Sequence, residues 1–298
     1  MLTEKQIQDY KKAGQISSEV KKYAKSIIKK DVLLVDIAEE IEDKIKELGA
    51  EVAFPVNLSI DDVAAHYTPN LDDKTIAQGL LKIDIGVHVN GFIADTAFTL
   101  DLTENNEHKK IIQATEDSLK KAQELITKNK EKTELGEIGK VIQQTISDQG
   151  FSPIRNLSGH SLDQYNIHAG LTIPNYDNGN KNQIGKGAFA IEPFATTGSG
   201  VIYEGPPSNI YGLIKEGNVR DPTARKILAF IQKEKQTLPF SQRELEKHFG
   251  IKTRLSLRQL EQAGIIKSYA QFIEKTHKPV TQAENTIIIH NRVEITSE

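Results

Sequence analysis

The sequence predicts a protein of the α+β class, in which antiparallel strands and amphipathic helices occupy separate stretches of the chain. The segment from Leu81 to Leu100 predicts a β-hairpin that turns at Asn90-Gly91, and apolar strand-like runs occur near Glu192 and towards the C-terminal end. Before residue 150, four stretches repeat apolar residues at the three- and four-residue spacing of amphipathic helices. Strands and helices therefore do not alternate as they would around a parallel sheet.

The predicted hairpin places two aspartates on one face. An Asn-Gly loop favours a type I′ turn, which fixes the pairing of the two strands. In that register Asp84 lies opposite Ala97 and Asp95 lies opposite Gly86, so the aspartates are diagonal neighbours with Cα atoms roughly 7–8 Å apart. Aspartate is depleted in strands, and like charges this close repel one another. The face is therefore either open to water or occupied by a cation.

Composition limits the classes of protein that the chain can represent. Its 298 residues are 38% hydrophobic and 27% charged, with a formal net charge of −3, which suits one large domain or a large and a small one. The absence of cysteine excludes disulfides and thiolate ligands, so any metal must be held by Asp, Glu or His. No run approaches the ~18 apolar residues that span a bilayer, and the N-terminus lacks the apolar core of a signal peptide. We expect a cytoplasmic enzyme.

Capping residues and apolar spacing define the helices that precede residue 150. The predicted helices run from a capping box at Thr3 and Gln6 towards Ile28, from Asp36 as N-cap to Gly49, and over about 107–128 and 135–149. Segment 53–70, which separates the second helix from the hairpin, is predicted to be a loop because it carries Pro55 and Pro69.

Residues 221–278 differ from the rest of the chain in pattern and in charge. The starts of three short helices are marked by Pro222, by Ser241 with Glu244, and by Thr253. Gly264 ends the third helix, and together the helices predict a small helix-turn-helix or winged unit. The segment carries twelve Lys and Arg against six Asp and Glu, which leaves the remainder of the chain near −9. This asymmetry permits contact with nucleic acid, although a docked helical insertion with a solvated basic face is favoured.

Histidines and glutamates outside the hairpin occupy settings that core packing does not explain. Glu192 lies in the apolar strand FAIEPF, where burial is costly unless the carboxylate is paired or bound to metal, and Glu284 opens another apolar strand. His160 and His168 share the segment SGHSLDQYNIHAG, and His66 lies in AAHYTPN. Taken singly, each residue also fits an ordinary role at the surface or in the core.

Four segments, taken in order, resemble the metal-binding motifs of type II methionine aminopeptidases, which are metallopeptidases of the pita-bread fold. The segments are IDIGVHVNGFIADTAFT, SGHSLDQYNIHAG, AIEPFATTGSG and QAENT. The resemblance covers nearly the whole chain and is similar to the short archaeal form. It implies a curved antiparallel sheet flanked by helices, with a catalytic domain over residues 1–194 and 272–298 and a winged-helix-like insertion over residues 195–271.

The resemblance further implies a dinuclear centre that activates a bridging water. Asp84 chelates one metal, His160 and Glu192 hold the other, and Asp95 and Glu284 bridge both. Two closely spaced cations require several anionic oxygens, and a water shared between them becomes a nucleophile near neutral pH. The implied cofactors are two divalent ions of Co, Mn, Fe or Zn, between which affinity order cannot choose. The implied reaction removes the N-terminal methionine from nascent proteins by hydrolysing their first peptide bond.

Catalytic and substrate-binding residues follow from the same resemblance. Glu192 is the implied proton shuttle, and His66 and His168 match positions that hydrogen-bond the substrate main chain or the tetrahedral oxyanion. Phe54 matches a wall of the methionine pocket, although an ordinary core phenylalanine explains it equally well. Ile210 lies near the substrate side chain, where the family frequently has histidine.

Two rival interpretations remain open. One is a peptidase of the same fold that cleaves X-Pro bonds, and the other is a catalytically silent relative that binds RNA or ribosomes through the basic insertion. All five implied ligands are present, which argues against the silent relative. We expect a monomer whose partners are nascent polypeptides with N-terminal methionine, with no membrane partner, and the basic insertion permits a ribosome contact.

Overall fold

Antiparallel strands and flanking helices make up the computed structural model, which describes residues 2–298. The α-helices are α1 (Glu4–Ile27), α2 (Leu34–Glu47), α3 (Lys109–Asn129), α4 (Leu135–Ser147), α5 (Pro222–Phe230), α6 (Gln242–Phe249) and α7 (Thr253–Gln262). The strands are β1 (Glu51–Ile60), β2 (Val63–Ala65), β3 (Leu80–Val89), β4 (Phe92–Asp101), β5 (Ser152–Pro153), β6 (Ser158–Leu162), β7 (Thr172–Pro174), β8 (Gly187–Ile191), β9 (Phe194–Thr196), β10 (Ile202–Leu213), β11 (Phe240–Ser241), β12 (Ile266–Glu274), β13 (Val280–Gln282), β14 (Asn285–Ile289) and β15 (Val293–Ile295). None of the described helices is long and apolar enough to cross a membrane.

The strands form four antiparallel sheets, two of which carry Asp84, Asp95 and His160. One sheet has the order β1-β3-β4, and a five-stranded sheet has the order β15-β14-β8-β6-β7. The predicted hairpin register is confirmed, since Asp84 pairs with Ala97 and Asp95 pairs with Gly86. The remaining sheets have the orders β11-β10-β12-β2 and β13-β9-β5.

Two layers of helices cover the outer faces of the β1-β3-β4 sheet and the five-stranded sheet, here termed the central sheets. Helices α1 and α2 bury Val20 and Ile41 against Ile83 of β3, within one apolar cluster. Helices α3 and α4 contribute a second cluster together with Phe189 of β8 and Ile287 of β14. Because the amphipathic helices occupy the outer faces, the opposite faces of the two sheets are left for polar side chains.

Helix starts in the N-terminal part confirm one predicted cap and correct another. Thr3 and Gln6 form the predicted capping box, with Thr3 N donating to Gln6 Oε1 at 2.8 Å and Gln6 N donating to Thr3 Oγ1 at 3.3 Å. The N-cap predicted at Asp36 is wrong, because α2 begins at Leu34 and Leu33 occupies the cap position without a side-chain hydrogen bond. Asp36 lies in the first turn, where a carboxylate interacts favourably with the helix dipole.

The loop predicted over residues 53–70 is also wrong, since strands β1 and β2 occupy most of it. Pro55 is tolerated because β1 is an edge strand of its sheet and its register against β3 shifts between Phe54 and Asn57. A bulge at a sheet edge does not need the backbone N–H that proline lacks.

The three helices predicted in the insertion are present as α5, α6 and α7. Pro222 begins α5, and Ser241 caps α6 by accepting the backbone N–H of Glu244 at 3.1 Å. The cap predicted at Thr253 is wrong, because Thr253 is the first residue of α7 and Lys252 precedes it without a side-chain cap.

These helices pack around an apolar cluster of their own and dock on α2 through charge. Arg243 of α6 is only 1% exposed and lies 2.5 Å from the carboxylate of Glu42. Arg243 also donates to Thr68 Oγ1 at 3.2 Å. Further ion pairs across the same boundary join Lys247 to Glu39 and Arg254 to Asp72. Part of the excess positive charge of the insertion is therefore neutralised within the molecule.

Substituting Arg243 tests this docking. We expect Arg243→Ala to lower the free energy of unfolding by about 3–5 kcal/mol, because it leaves the Glu42 carboxylate partly buried without its partner. Urea unfolding measures the effect, with Asp43→Ala as a control at an exposed pair, where we expect a change within about 0.5 kcal/mol. Equal effects of the two substitutions would contradict the role of Arg243 in docking.

Candidate metal centre

Side chains from both central sheets converge on one buried point. Ligand atoms of Asp95, His160 and Glu284 all lie within 4.8 Å of one another, and so do those of Asp84, Glu192 and Glu284. Glu284 belongs to both groups, so the five residues that the sequence indicated form one continuous cluster. Glu192 falls in the group with Asp84, and its assignment together with His160 to one metal stays a prediction.

Strand pairing and strand breaks place the histidine and one glutamate of the cluster. His160 of β6 pairs with Ala190 of β8. Glycine is required at position 159, because a Cβ atom there would lie 2.4 Å from the carbonyl oxygen of Ala190. Glu192 lies between β8 and β9, next to Pro193, which cannot continue the hydrogen-bond ladder. Its side chain is thereby directed by a break in the sheet.

Backbone contacts join the two sheets beside the cluster. Glu284 N donates to the carbonyl oxygen of Ala97 at 3.0 Å, and Ala97 N donates to that of Glu284 at 3.3 Å. Thr286 Oγ1 accepts the N–H of Asp95 at 2.7 Å and donates to its carbonyl oxygen at 2.9 Å. These bonds fix Glu284 next to Asp95.

The buried carboxylates have few partners of their own. Within residues 2–298, no donor reaches Asp84 Oδ1, Asp95 Oδ1 or either carboxylate oxygen of Glu284, which is 1% exposed. Burial raises the pKa of Asp84 to about 7. Burial, reinforced by neighbouring carboxylates, raises the pKa values of Asp95, Glu192 and Glu284 well above the ordinary range.

Divalent cations fit this donor set. Burial lowers the pKa of His160 to about 3, so its imidazole is neutral and available as a ligand. His160 Nε2 lies 3.7 Å from Asp95 Oδ2, too far for a hydrogen bond but within reach of a shared cation. Unpartnered carboxylate oxygens with one neutral imidazole make a site for a borderline divalent ion.

Residues around the cluster orient its members, and the sequence did not reveal them. Gln282 Nε2 donates to Glu192 Oε1 at 3.0 Å. Lys21 of α1 donates to Thr96 Oγ1 at 3.1 Å and to Asn285 Oδ1 at 3.0 Å, so an ammonium group lies behind the carboxylates. Burial lowers the pKa of Lys21 to about 8. Lys21 follows the buried Gly14 and Ser17 at helical spacing, which places it on the buried face of α1 and was the sequence signal for its role.

A cavity of about 480 Å³ opens onto the cluster and contains the predicted substrate residues. Phe54, His66, His168 and Ile210 all line it. The Phe54 ring lies against Gly86, where a Cβ atom would come within 2.2 Å of the ring. Phe54 is also part of an apolar cluster, so it serves both the core and the cavity wall.

The two cavity histidines are neutral and differently constrained. His66 has a φ of 69°, a conformation that costs a non-glycine residue about 1–3 kcal/mol. Its Nδ1 lies 3.2 Å from the carbonyl oxygen of Ala270, so Nδ1 carries the proton and Nε2 is an acceptor. Burial lowers the pKa of His66 to about 4 and also lowers that of His168, whose ring lies 4.5 Å from the His160 ring.

Lys267 and Tyr269 also line the cavity, although no local sequence signal identified them. They occupy alternate positions of β12 and therefore project from one face of the strand. That alternation was visible in the sequence, but without the partner strands nothing indicated which face would meet the site.

The raised pKa of Asp84 predicts how the metal-free protein responds to pH. Between the ordinary value of 3.8 and about 7, Asp84 binds more protons in the folded state than in the unfolded state, so its contribution to stability falls as pH rises, at most by about 1.4 kcal/mol per pH unit. In chelator-treated protein, Asp84→Asn should remove this loss, and its stability relative to the parent should grow over that range and then level off.

Denaturant unfolding from pH 4 to pH 8 measures this difference, with Asp43→Asn as the control at an exposed carboxylate. Added divalent cation should stabilise the parent more than Asp84→Asn, because a ligand that binds the folded state shifts unfolding. A constant difference across this pH range would contradict the burial of an ionised Asp84 in the metal-free protein.

Comparison with known proteins agrees with this site. The profile of metallopeptidase family M24 matches residues 8–220. The chain is 41% identical to a methionine aminopeptidase of Methanocaldococcus jannaschii over 300 residues, covering 98% of this chain and 100% of that relative.

Solved structures show the same fold. A thermophilic Arx1 matches with a TM-score of 0.83 at 17% identity, covering 99% of this chain and 91% of that one. A methionine aminopeptidase of Thermotoga maritima matches with a TM-score of 0.71 at 21% identity, covering 100% and 98%. The pita-bread fold predicted from the sequence is thereby confirmed. With the family match and the full-length archaeal relative, the chain belongs to the methionine aminopeptidases of metallopeptidase family M24.

Proposed function

We propose that the five clustered ligands hold two divalent cations and that this centre hydrolyses the first peptide bond of nascent polypeptides that begin with methionine. Metal-dependent aminopeptidase activity accords with membership of the family. The observation that carries the two-ion proposal is the pair of ligand groups sharing Glu284, because a shared carboxylate lets two cations sit close together.

The proposed ligands form two overlapping groups. Glu284 belongs to both groups of closely spaced ligand atoms, which supports it as a ligand shared by two cations. Asp95 is the second proposed shared ligand, with Asp84 at one cation and His160 and Glu192 at the other. Bound there, Co, Mn, Fe or Zn would polarise the scissile carbonyl and lower the pKa of the attacking water. Four carboxylates would offset the charge of two divalent cations, whereas one cation would leave net negative charge buried.

Glu192 is the proposed proton shuttle. Gln282 engages its Oε1, which orients the carboxylate and leaves Oε2 to take a proton from the attacking water. The same oxygen can then deliver that proton to the leaving amine nitrogen.

His66 and His168 receive different proposed roles. Because His66 Nδ1 donates to Ala270, Nε2 can accept an N–H of the substrate main chain but cannot donate to an oxyanion. His168 is free to donate to the carbonyl oxygen as negative charge develops on it, which is worth most in a site that excludes water.

The cavity wall supports methionine as the first residue. Phe54 and Ile210 are both nearly fully buried and present apolar surface to the cavity. An unbranched thioether fills such a pocket and makes favourable contacts with an aromatic ring. Isoleucine at position 210, where the family frequently has histidine, makes this wall more apolar.

We also propose the domain division and partners that the resemblance implied. The helices of the insertion have their own apolar core, which supports a separate unit within residues 195–271, although β12 continues across residue 271. We propose that the enzyme works in the cytoplasm, where it meets nascent chains. We also propose that it is a monomer. The proposed ribosome contact is supported by a small exposed surface of α7. There the basic residue Arg258 is exposed, and Leu255 beside it is 62% exposed.

A peptide assay tests the proposed function. Metal-loaded protein should release methionine from a Met-Ala-Ser peptide and leave an Ala-Pro peptide intact, and chelation should abolish release. Preference for the Ala-Pro peptide would support the X-Pro interpretation. If metal-loaded protein released nothing but bound ribosomes with steep salt dependence, a silent binding relative would replace the enzyme.

Substitutions at Glu192 and His168 test their proposed roles in protein whose metal content is measured alongside. We expect Glu192→Gln to lower kcat by about 10²–10⁴ with the fold intact, because the amide cannot carry the proton.

His168→Ala should lower kcat/KM by about 10²–10³ without loss of bound metal, as removal of an oxyanion donor does. Elemental analysis and steady-state kinetics measure both, with His248→Ala on the exposed end of α6 as control. Metal loss in His168→Ala would reassign it as a ligand.

A further inference from the structure

The cavity over the carboxylate cluster continues into a second cavity of about 300 Å³ along strands β10 and β12, here termed the outer groove. The residues that line both cavities are His66, Glu204, Lys267, Tyr269 and Phe272. The register of β10 against β12 shifts on both sides of Pro207, so the two strands do not form a regular ladder along the groove. Because five residues line both cavities, the outer groove adjoins the site.

Lys267 supplies a fixed positive charge in this groove. Its Nζ lies 4.7 Å from the centroid of the Tyr269 ring, which holds the ammonium group by a cation–π contact. No carboxylate within residues 2–298 forms an ion pair with it, in contrast to Arg243 and Arg254 of the same insertion. Lys267 lines the catalytic cavity as well as the outer groove, so its charge faces both.

The path of a substrate determines which of its residues meets this charge. A substrate bound as proposed places its first side chain in the apolar pocket at Phe54 and its first peptide bond at the carboxylate cluster. The second residue follows the reacting bond directly, and the third, about 3.3–3.6 Å further along an extended chain, leads away from the cluster towards the outer groove. Resting on the proposed function, we propose that Lys267 makes the outer groove a subsite for an acidic third residue of the substrate.

Glu204 carries the opposite charge in the same groove. Its side chain is exposed and makes no hydrogen bond or ion pair within the described part of the chain. Lys267, held over Tyr269, is the better-positioned group, and Glu204 weakens the preference by repelling an acidic substrate. Glu204→Gln should therefore sharpen the discrimination that Lys267 provides.

Peptides of the form Met-Ala-X, identical beyond X and carrying Asp, Ser or Lys at X, test the subsite with metal-loaded protein. We expect kcat/KM for the Asp peptide to exceed that for the Ser peptide about two- to fivefold, as one exposed charge pair contributes. The difference should lie in KM, since this contact forms before the reaction, and it should shrink as salt is added. Lys267→Glu should reverse the order of the Asp and Lys peptides.

Lys275→Glu is the matched control, because Lys275 is exposed just beyond β12 and lines neither cavity. It makes the same change in net charge, so an equal shift in both variants would assign the effect to overall charge and overturn the subsite. Equal cleavage of all three peptides by the parent would also overturn it while leaving the proposed function intact. Failure to cleave any of them would instead reject the proposed function, and the subsite with it. Thermal unfolding of Lys267→Glu at the parent temperature confirms that the variant is folded.

Discussion

The crowding of four carboxylates around one point, two of them buried and two partly exposed to the cavity, is the constraint on which the rest of the structure depends. Each ionised carboxylate removed from water is costly, and neighbours of the same sign increase that cost. A scaffold with mobile side chains would let Asp95 and Glu284 turn away from each other. The chain prevents this by joining the two sheets at Ala97 and Thr286, so that the carboxylates stay together.

The amphipathic helices on the outer faces hold this arrangement in place. Helices α1 and α2 cover one sheet and α3 and α4 cover the other, each with a buried cluster of its own. Lys21 extends from α1 through that layer and bonds Thr96 and Asn285, the neighbours of Asp95 and Glu284. A buried ammonium group there offsets part of the negative charge, and its hydrogen bonds keep it behind the ligands. Core packing and the electrostatics of the site are therefore coupled.

Local signals predicted the parts of the site that a single segment determines. The Asn90-Gly91 turn fixes the hairpin register by itself, which is why Asp84 and Asp95 were correctly aligned from sequence. The edge strand β1 was missed because its pairing partner lies beyond the segment, and Pro55 argues locally against a strand. Lys21 and Lys267 were missed because their roles depend on which distant surface each one faces.

The central sheets supply the ligands of the site, and the insertion supplies part of the cavity wall. Every ligand comes from the two central sheets or the residues beside them, whereas Ile210, Pro239, Lys267 and Tyr269 reach the cavity from the insertion. Because Arg243 fixes the insertion on α2 rather than on the metal side, side chains on its strands can change without moving a carboxylate. The charge that first suggested a nucleic-acid surface serves partly for docking and, at Lys267, faces the site mouth. Net charge alone could not distinguish these uses, since it carries no information about direction.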